Sequence, residues 1–256
     1  MLFFGNRFKL CEMFGVPVYL DWSTVLLALM FLQTGSLFLA LGLAIILLAS
    51  IVFHELGHSL TARCFGCETR YITLTVIGGC ASLEQMPRKA WQEFLTAAAG
   101  PLVSFILGVA FLVAAVFMPE DNILGVLFWC GGKMNIGLGL FNLLPGFPMD
   151  GGRIFRSTMR LFMTRAKATY VAMTVGRIAA AFLVFGPALG VTHIWIIPIG
   201  GKIFIRILIA VMIWTEGYRE YQLALMESSW DYQDFRARVS PPPYGGEGDD
   251  CDVTRN

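Results

Sequence analysis

Long uncharged runs divide the chain into candidate membrane spans. No charged residue occurs between Trp22 and Phe53, a run too long for one span, and the polar sequence at 33–36 divides it. Since a span needs about 20 apolar residues, the pattern predicts six transmembrane helices, of which the last is weakened by Lys202 and Arg206. These spans lie near residues 20–33, 37–61, 94–119, 123–149, 168–186 and 193–214.

Two other segments have the composition of β-strands. Residues 9–19 place Gly15-Val16-Pro17 between apolar stretches, and residues 69–83 are rich in β-branched side chains up to Gly78-Gly79. Open strand edges are not tolerated against lipid, so we expect a hairpin or a paired edge near the membrane surface. The predicted fold is an α-helical polytopic membrane protein with short membrane-associated strands.

Composition supports this class of fold. Of the 256 residues, 56% are hydrophobic and 14% are charged, whereas a soluble domain carries about 25% charged residues. A soluble domain, a disordered chain and a coiled coil are therefore excluded. The net charge is only +1, and Lys and Arg are not clustered in a way that would follow a phosphate backbone. We therefore expect no nucleic-acid partner.

Lys and Arg are distributed unevenly between the loops. If the N-terminus is cytoplasmic, the external loops are 33–36, 119–122 and 187–192, which contain no Lys or Arg. The internal segments hold the basic residues Arg7, Lys9, Arg63, Arg70, Arg88, Lys89, Arg153, Arg156, Arg160, Arg165 and Lys167. Because basic loops stay on the cytoplasmic side, we predict cytoplasmic N- and C-termini, and we expect a prokaryotic inner membrane.

The composition changes after Trp214. Residues 216–238 are polar and predict an amphipathic helix, and the Pro-, Gly- and acid-rich end at 241–256 is typical of disorder. We therefore predict a membrane-embedded core at 1–215 and a partly disordered cytoplasmic tail at 216–256.

The second predicted span ends in the sequence His54-Glu55-Leu56-Gly57-His58. Positions i and i+4 share one face of a helix, so both imidazoles can bind one metal ion, with Glu55 beside them. Ionisable groups at membrane depth are costly and usually functional. The competing interpretation is a pair of interfacial histidines at the end of a span.

A catalytic zinc site needs three protein ligands and one open position. The remaining histidine, His193, falls on the predicted external side, so the third ligand is expected to be a carboxylate or thiolate at cytoplasmic depth. The lone pair Cys64 and Cys67 is a weak metal signal. Asp150 is the candidate, because two prolines precede it and two glycines follow it. The alternative is an Asp that caps the next helix.

The two motifs together resemble the site-2 protease family of intramembrane zinc metalloproteases. HExxH on one span is followed by the run from Asn142 to Gly151, Asn-x-x-Pro-x-x-Pro-x-Asp-Gly, on a later one. Residues 78–87 resemble the family's membrane-associated strand and loop, and residues 99–104 its small-residue motif. The likeness covers about residues 8–215, without the PDZ or CBS domains of some members, so we expect a compact member.

The resemblance implies that His54, His58 and Asp150 bind one Zn²⁺. Glu55 is then the general base that activates the attacking water. Asn142 is expected to bind the oxyanion or the substrate backbone, with local bonding to its own helix as the alternative. Asn135, earlier on the same span, is expected to pack.

The function expected from the resemblance is hydrolysis of peptide bonds in or near transmembrane segments. Its partners are a membrane-anchored protein substrate, the lipid bilayer and, by expectation, a regulatory membrane protein. The strand segment 69–83 is a hypothetical edge for unwound substrate. The alternatives are a non-catalytic metal-binding scaffold and a transporter. The transporter is less favoured, because it would have polar residues spread along several spans, whereas these spans carry few outside one depth.

Overall fold

The structure is a computed structural model, which describes residues 7–22, 24, 31, 35–75, 78–83, 89–119, 122–189, 193–194, 197–198 and 203–239. Helices dominate this part of the chain: α1 (Leu37–Cys64), α2 (Ala90–Val116), α3 (Ile123–Asn142), α4 (Asp150–Met159), α5 (Arg165–Phe185) and α6 (Ile203–Val239). The strands are β1 (Arg7–Met13), β2 (Val16–Asp21), β3 (Thr69–Thr75), β4 (Gly78–Leu83), β5 (His193–Ile194) and β6 (Ile197–Pro198). A 3₁₀ turn, Gly186–Leu189, follows α5.

Four of the described helices, α1, α2, α3 and α5, are long and apolar enough to cross a membrane. They confirm the second, third, fourth and fifth predicted spans. The fourth ends earlier than predicted, at Asn142 rather than near residue 149, because the prolines that follow cannot continue a helix. Most of the first predicted span lies outside the described residues.

The segment predicted as the sixth span is not one helix, and the helix that covers its second half is not among the four described helices that qualify as spans. Residues 193–194 and 197–198 pair as a short antiparallel hairpin, and α6 begins only at Ile203. Lys202 lies outside the described residues. The helix then runs without a break to Val239 and so crosses the predicted boundary at residue 215, which stays a prediction. The predicted disordered end at 241–256 also lies outside the described residues.

Both strand segments are hairpins, and they join into one sheet of order β1-β2-β3-β4. The central pair, β2 and β3, is parallel, with Val18 opposite Ile72. Parallel strands need a long crossover, and α1 supplies it here. Apolar side chains of β2 and β3 pack against Ile51, Val52 and Leu56 of α1 in one buried cluster.

Helix α2 has two contrasting faces. After the buried Glu93 near its start, its buried face is made of small or short residues: Thr96, Ala97, Gly100, Pro101, Ser104 and Gly108. Its exposed face is apolar: Leu102, Ile106, Val109, Val113 and Val116. This inversion is typical of a membrane helix, in which small residues allow close helix approach and large apolar ones face lipid. The buried face lies against α1, α3 and α4.

Candidate metal centre

Three candidate ligand atoms meet at one point between α1 and α4. The Nε2 atom of His54 lies 3.1 Å from Asp150 Oδ2 and 3.2 Å from His58 Nε2. The Nε2 atom of His58 lies 3.2 Å from the same carboxylate oxygen. Both imidazoles are buried, and the carboxylate is nearly so. The structure thus brings together the three residues that the sequence predicted as a metal site.

The donor set and its spacing fit zinc. Zinc prefers four tetrahedral ligands, and bonds of about 2.0–2.1 Å place neighbouring ligand atoms about 3.3 Å apart. The observed separations of 3.1–3.2 Å are close to that value. Two imidazoles and one carboxylate also leave the fourth position open, which is the usual arrangement of a catalytic zinc site.

Helix α2 fixes the orientation of both rings. The carbonyl of Thr96 accepts a hydrogen bond from His58 Nδ1 at 2.7 Å, and Ser104 Oγ lies 2.8 Å from His54 Nδ1. With a proton on each Nδ1, each Nε2 presents its lone pair to the metal. Gly100 leaves the space for these atoms, because a Cβ there would overlap His58 and lie 2.8 Å from His54 Nε2.

Asp150 is the first residue of α4, and the loop after α3 sets its position. Proline at 145 and 148 prevents the helix from continuing. The next turn packs tightly on this loop, since a Cβ at Gly151 would collide with the carbonyl of Leu143. The N-cap of α4 is Met149 rather than Asp150. The capping interpretation of Asp150 is therefore wrong, because its carboxylate lies against the histidines instead.

The two predicted catalytic residues lie on the helices α1 and α3. Glu55 is half-buried on α1, directly after His54. Asn142, half-buried at the end of α3, donates from Nδ2 to the carbonyl of Leu138 at 3.1 Å. This is the local bond that the sequence analysis gave as the alternative for Asn142. Both catalytic roles remain predictions.

Three further residues that the sequence singled out do not belong to the ligand set. Asn135 is fully buried and donates to Ser50 Oγ at 2.8 Å and to the carbonyl of Gly131 at 2.9 Å, which ties α3 to α1. Its predicted packing role agrees with these contacts. Cys64 is exposed and Cys67 is buried, and neither belongs to the metal cluster found among the described residues.

Sequence reasoning missed the groups that support the ligands. Ser104 and Gly100 lie in the small-residue segment 99–104, which the sequence analysis assigned only to helix packing. The carbonyl of Thr96 has no sequence signal, because every residue has one. A hydroxyl on the buried face of an apolar helix, at the depth of the histidines, was the one signal for Ser104.

Fold and site together define a polytopic membrane protein with a buried metal centre. Two histidines of an HExxH helix and one aspartate of a later helix form it. The model of peptidase family M50 matches residues 42–128 and 119–186. The chain therefore belongs to peptidase family M50, the site-2 protease family, as its motifs predicted.

Individual relatives agree with this assignment. A zinc metalloprotease of Methanocaldococcus jannaschii is 37% identical over 184 residues, which are 70% of this chain and 53% of the relative. A protein of Synechocystis sp., named as a candidate zinc metalloprotease, is 35% identical over 217 residues, 77% of this chain and 56% of its own. The chain thus spans about half the length of these relatives.

A solved structure shares the fold. The site-2 protease from M. jannaschii matches with a TM-score of 0.59 and 30% identity, over 84% of this chain and 95% of that one. With relatives named for zinc and a fitting donor set at His54, His58 and Asp150, the expectation of a zinc cofactor is confirmed.

Proposed function

We propose that this chain is an intramembrane zinc metalloprotease that hydrolyses peptide bonds in or near transmembrane segments of membrane-anchored proteins. One observation carries the proposal. A complete set of zinc ligands, with Asp150 Oδ2 within 3.2 Å of two imidazole nitrogens, lies between helices whose outer faces are apolar. Because water is scarce between such helices, a hydrolytic site there must supply the polar groups that hold the metal and the attacking water.

The chain's own residues divide the chemistry between them. His54, His58 and Asp150 hold Zn²⁺, which supplies a Lewis acid that polarises the scissile carbonyl. Glu55 takes a proton from the attacking water and later delivers it to the leaving amine. Asn142 uses one hydrogen of its amide nitrogen on Leu138, and because that nitrogen carries two, the second is left for the developing oxyanion.

The substrate must be partly unwound before it can be cut. A peptide bond within a transmembrane helix is covered by neighbouring turns. Strand β4 is one of the two outer strands of the four-stranded sheet, and it also contacts α1, the helix that carries the histidines. We propose that its edge receives an extended substrate segment by strand addition.

We also propose the orientation and location predicted from the basic residues. Both termini face the cytoplasm of a prokaryotic cell, with the protein in the inner membrane. The asymmetry of Lys and Arg between the loops supports this orientation. The helix α1, which carries the histidines, ends near Arg63 on the predicted cytoplasmic side. We therefore expect the cleaved fragment to be released on that side.

The substitution Glu55→Gln tests the proposed activity. Purified parent protein in lipid vesicles should cleave a membrane-anchored substrate, and the variant should cleave at least about 100 times more slowly because it lacks the base. Both proteins should bind zinc equally, since Glu55 is not a ligand. Glu68→Gln is the control, because Glu68 is exposed beyond the end of α1.

The outcomes separate the competing functions. Cleavage that disappears only in Glu55→Gln, with zinc retained, supports the protease. If the parent and Glu55→Gln proteins cut equally fast, Glu55 is not the base and the mechanism is refuted. Zinc binding with no cleavage of any membrane-anchored substrate by the parent would favour the non-catalytic scaffold.

A further inference from the structure

A second polar cluster lies buried beside the metal centre. It consists of Arg156 on α4, Arg160 directly after the end of α4, Glu93 on α2 and Glu220 on α6, and is here called the ion cluster. Arg156 donates from Nε to Glu93 Oε1 at 2.7 Å and from Nη1 to Glu220 Oε2 at 2.7 Å. Arg160 Nη1 reaches the other oxygen of Glu93 at 2.6 Å. The guanidinium of Arg156 is thus shared between two helices.

The central pair of the ion cluster is deeply buried. Arg156 is 1% exposed and Glu93 is 3% exposed, and two cations meet two carboxylates. Burial alone would lower the pKa of Arg156, but the charges of Glu93 and Glu220 outweigh it and raise that pKa. Burial would raise the pKa of Glu220, yet Arg156 lowers it. Arg156 and Glu220 therefore each stabilise the charge of the other, and losing one partner of a buried ion pair is costly.

The ion cluster touches the same elements as the metal ligands. Arg156 follows Asp150 on the short helix α4. Its guanidinium also stacks on the ring of Phe147 at 4.9 Å, in the loop just before Asp150. Glu93 lies one turn before Thr96, the residue whose carbonyl orients His58. The histidines are thus oriented by α2, and the carboxylate ligand is joined to α2 through Arg156.

We infer that Arg156 is a positioning residue of the metal centre, which holds Asp150 against the two histidines by tying α4 to α2 and to the C-terminal helix α6. The inference rests on the zinc site of the proposed function. Asp150 lies in the first turn of a ten-residue helix, which is too short to be stable alone. Its position must therefore come from tertiary contacts, and Arg156, with Arg160 after it, supplies charged ones.

The link to Glu220 extends this arrangement to the C-terminal helix. Glu220 lies beyond the predicted last span, in the part of α6 that the sequence analysis assigned to the tail. Its carboxylate contacts the guanidinium of Arg156 directly. The ligand geometry therefore depends on a polar segment outside the membrane core.

Zinc affinity of the purified full-length protein tests the inference. Arg156→Lys keeps the charge but replaces a rigid fork with a single ammonium, which cannot reproduce the fixed set of bonds from Nε, Nη1 and Nη2 to Glu93 and Glu220. We expect its zinc dissociation constant, from competition with a chromophoric chelator, to rise by up to about tenfold, the lower end of the effect of removing a direct partner of a metal ligand, because Arg156 acts through α4 and does not bond to Asp150 itself. Glu220→Gln should raise it less.

The matched control is Glu227→Gln. Glu227 is also on α6 and also pairs with an arginine, Arg165, at 2.9 Å, but half of its side chain is exposed. We expect this variant to bind zinc like the parent. Thermal unfolding of each zinc-free protein separates the two roles, because a merely structural contact lowers the melting temperature and leaves the zinc affinity of the folded protein unchanged.

Each outcome decides the question. A folded Arg156→Lys protein with parental zinc affinity would overturn the inference, as would an equal loss in Glu227→Gln. If Arg156→Lys does not fold, Glu220→Gln decides, and its affinity must fall below that of Glu227→Gln. A parent that binds no zinc would refute the zinc site itself, whereas a zinc-binding parent with unaffected variants refutes only the role of Arg156.

Discussion

The substitution Gly100→Ala tests the packing of α2 on the zinc ligands most directly. An added Cβ would lie 2.8 Å from His54 Nε2 and closer still to the ring of His58, whereas ordinary contact begins at 3.4 Å. His54 must therefore move by about 0.6 Å and His58 by more. Neither ring is free to do so, because their Nδ1 atoms bond to Ser104 and Thr96 on the same helix.

The expected loss of zinc affinity follows from this displacement. Metal–ligand distances are kept within about 0.2 Å, so a shift three times larger removes at least one histidine from coordination. We expect the zinc dissociation constant to rise at least about 100-fold and cleavage to fall with zinc occupancy. The helix itself should not suffer, because Ala is favoured over Gly within a helix by about 1 kcal/mol.

The assay is chelator competition on the purified protein, together with thermal unfolding in the absence of zinc. Gly137→Ala is the matched control, since a Cβ at Gly137 on α3 would meet no atom within 4 Å. The control should bind zinc like the parent. If Gly100→Ala also bound zinc with parental affinity, the packing of α2 on the ligand nitrogens would be refuted.

Three further experiments address the support of the ligands, the oxyanion and the substrate. Ser104→Ala removes the partner of His54 Nδ1 and should weaken zinc binding about 10- to 100-fold, as measured by chelator competition; unchanged affinity would count against that role. Asn142→Ala should slow cleavage about 100-fold or more, with zinc affinity intact, and a parental rate would exclude Asn142 from the reaction. Proline substitutions along β4 should slow cleavage of a helical substrate, because they remove backbone donors from the edge, and equal cleavage would contradict strand addition.

The zinc ligands could be predicted because their signals are local. His54 and His58 are one helical turn apart, so their shared face follows from helix geometry alone. Asp150 stands out because prolines and glycines surround it, a pattern that an ordinary span does not need. What no local pattern gives is the distance between these motifs, which the packing of α1 against the loop before α4 determines.

The sheet was predicted only in part, for a related reason. Each hairpin joins strands that are neighbours in sequence, so composition and turn residues indicate both. The parallel pairing of β2 with β3 joins segments on either side of α1, and nothing in either segment specifies it. The burial of Val18 and Ile72 against α1 explains it afterwards.

The ion cluster shows where charge counting fails. From the sequence, Arg156 counts only as one of the basic residues of the internal segments that predict membrane orientation. In the structure it lies on the short helix α4, almost fully buried between Glu93 and Glu220. Its partners are 63 and 64 residues away, a separation at which sequence alone does not pair charges.

These contacts give α2 a specific place in the mechanism. The ligands come from two elements, α1 and α4, which are separated by 96 residues between His54 and Asp150. A metal centre built in this way needs a third element that contacts both. Helix α2 holds the histidines through Thr96 and Ser104 and holds α4 through Glu93. Substitutions on its buried face should therefore act on zinc affinity, whereas those on its lipid-facing side should not.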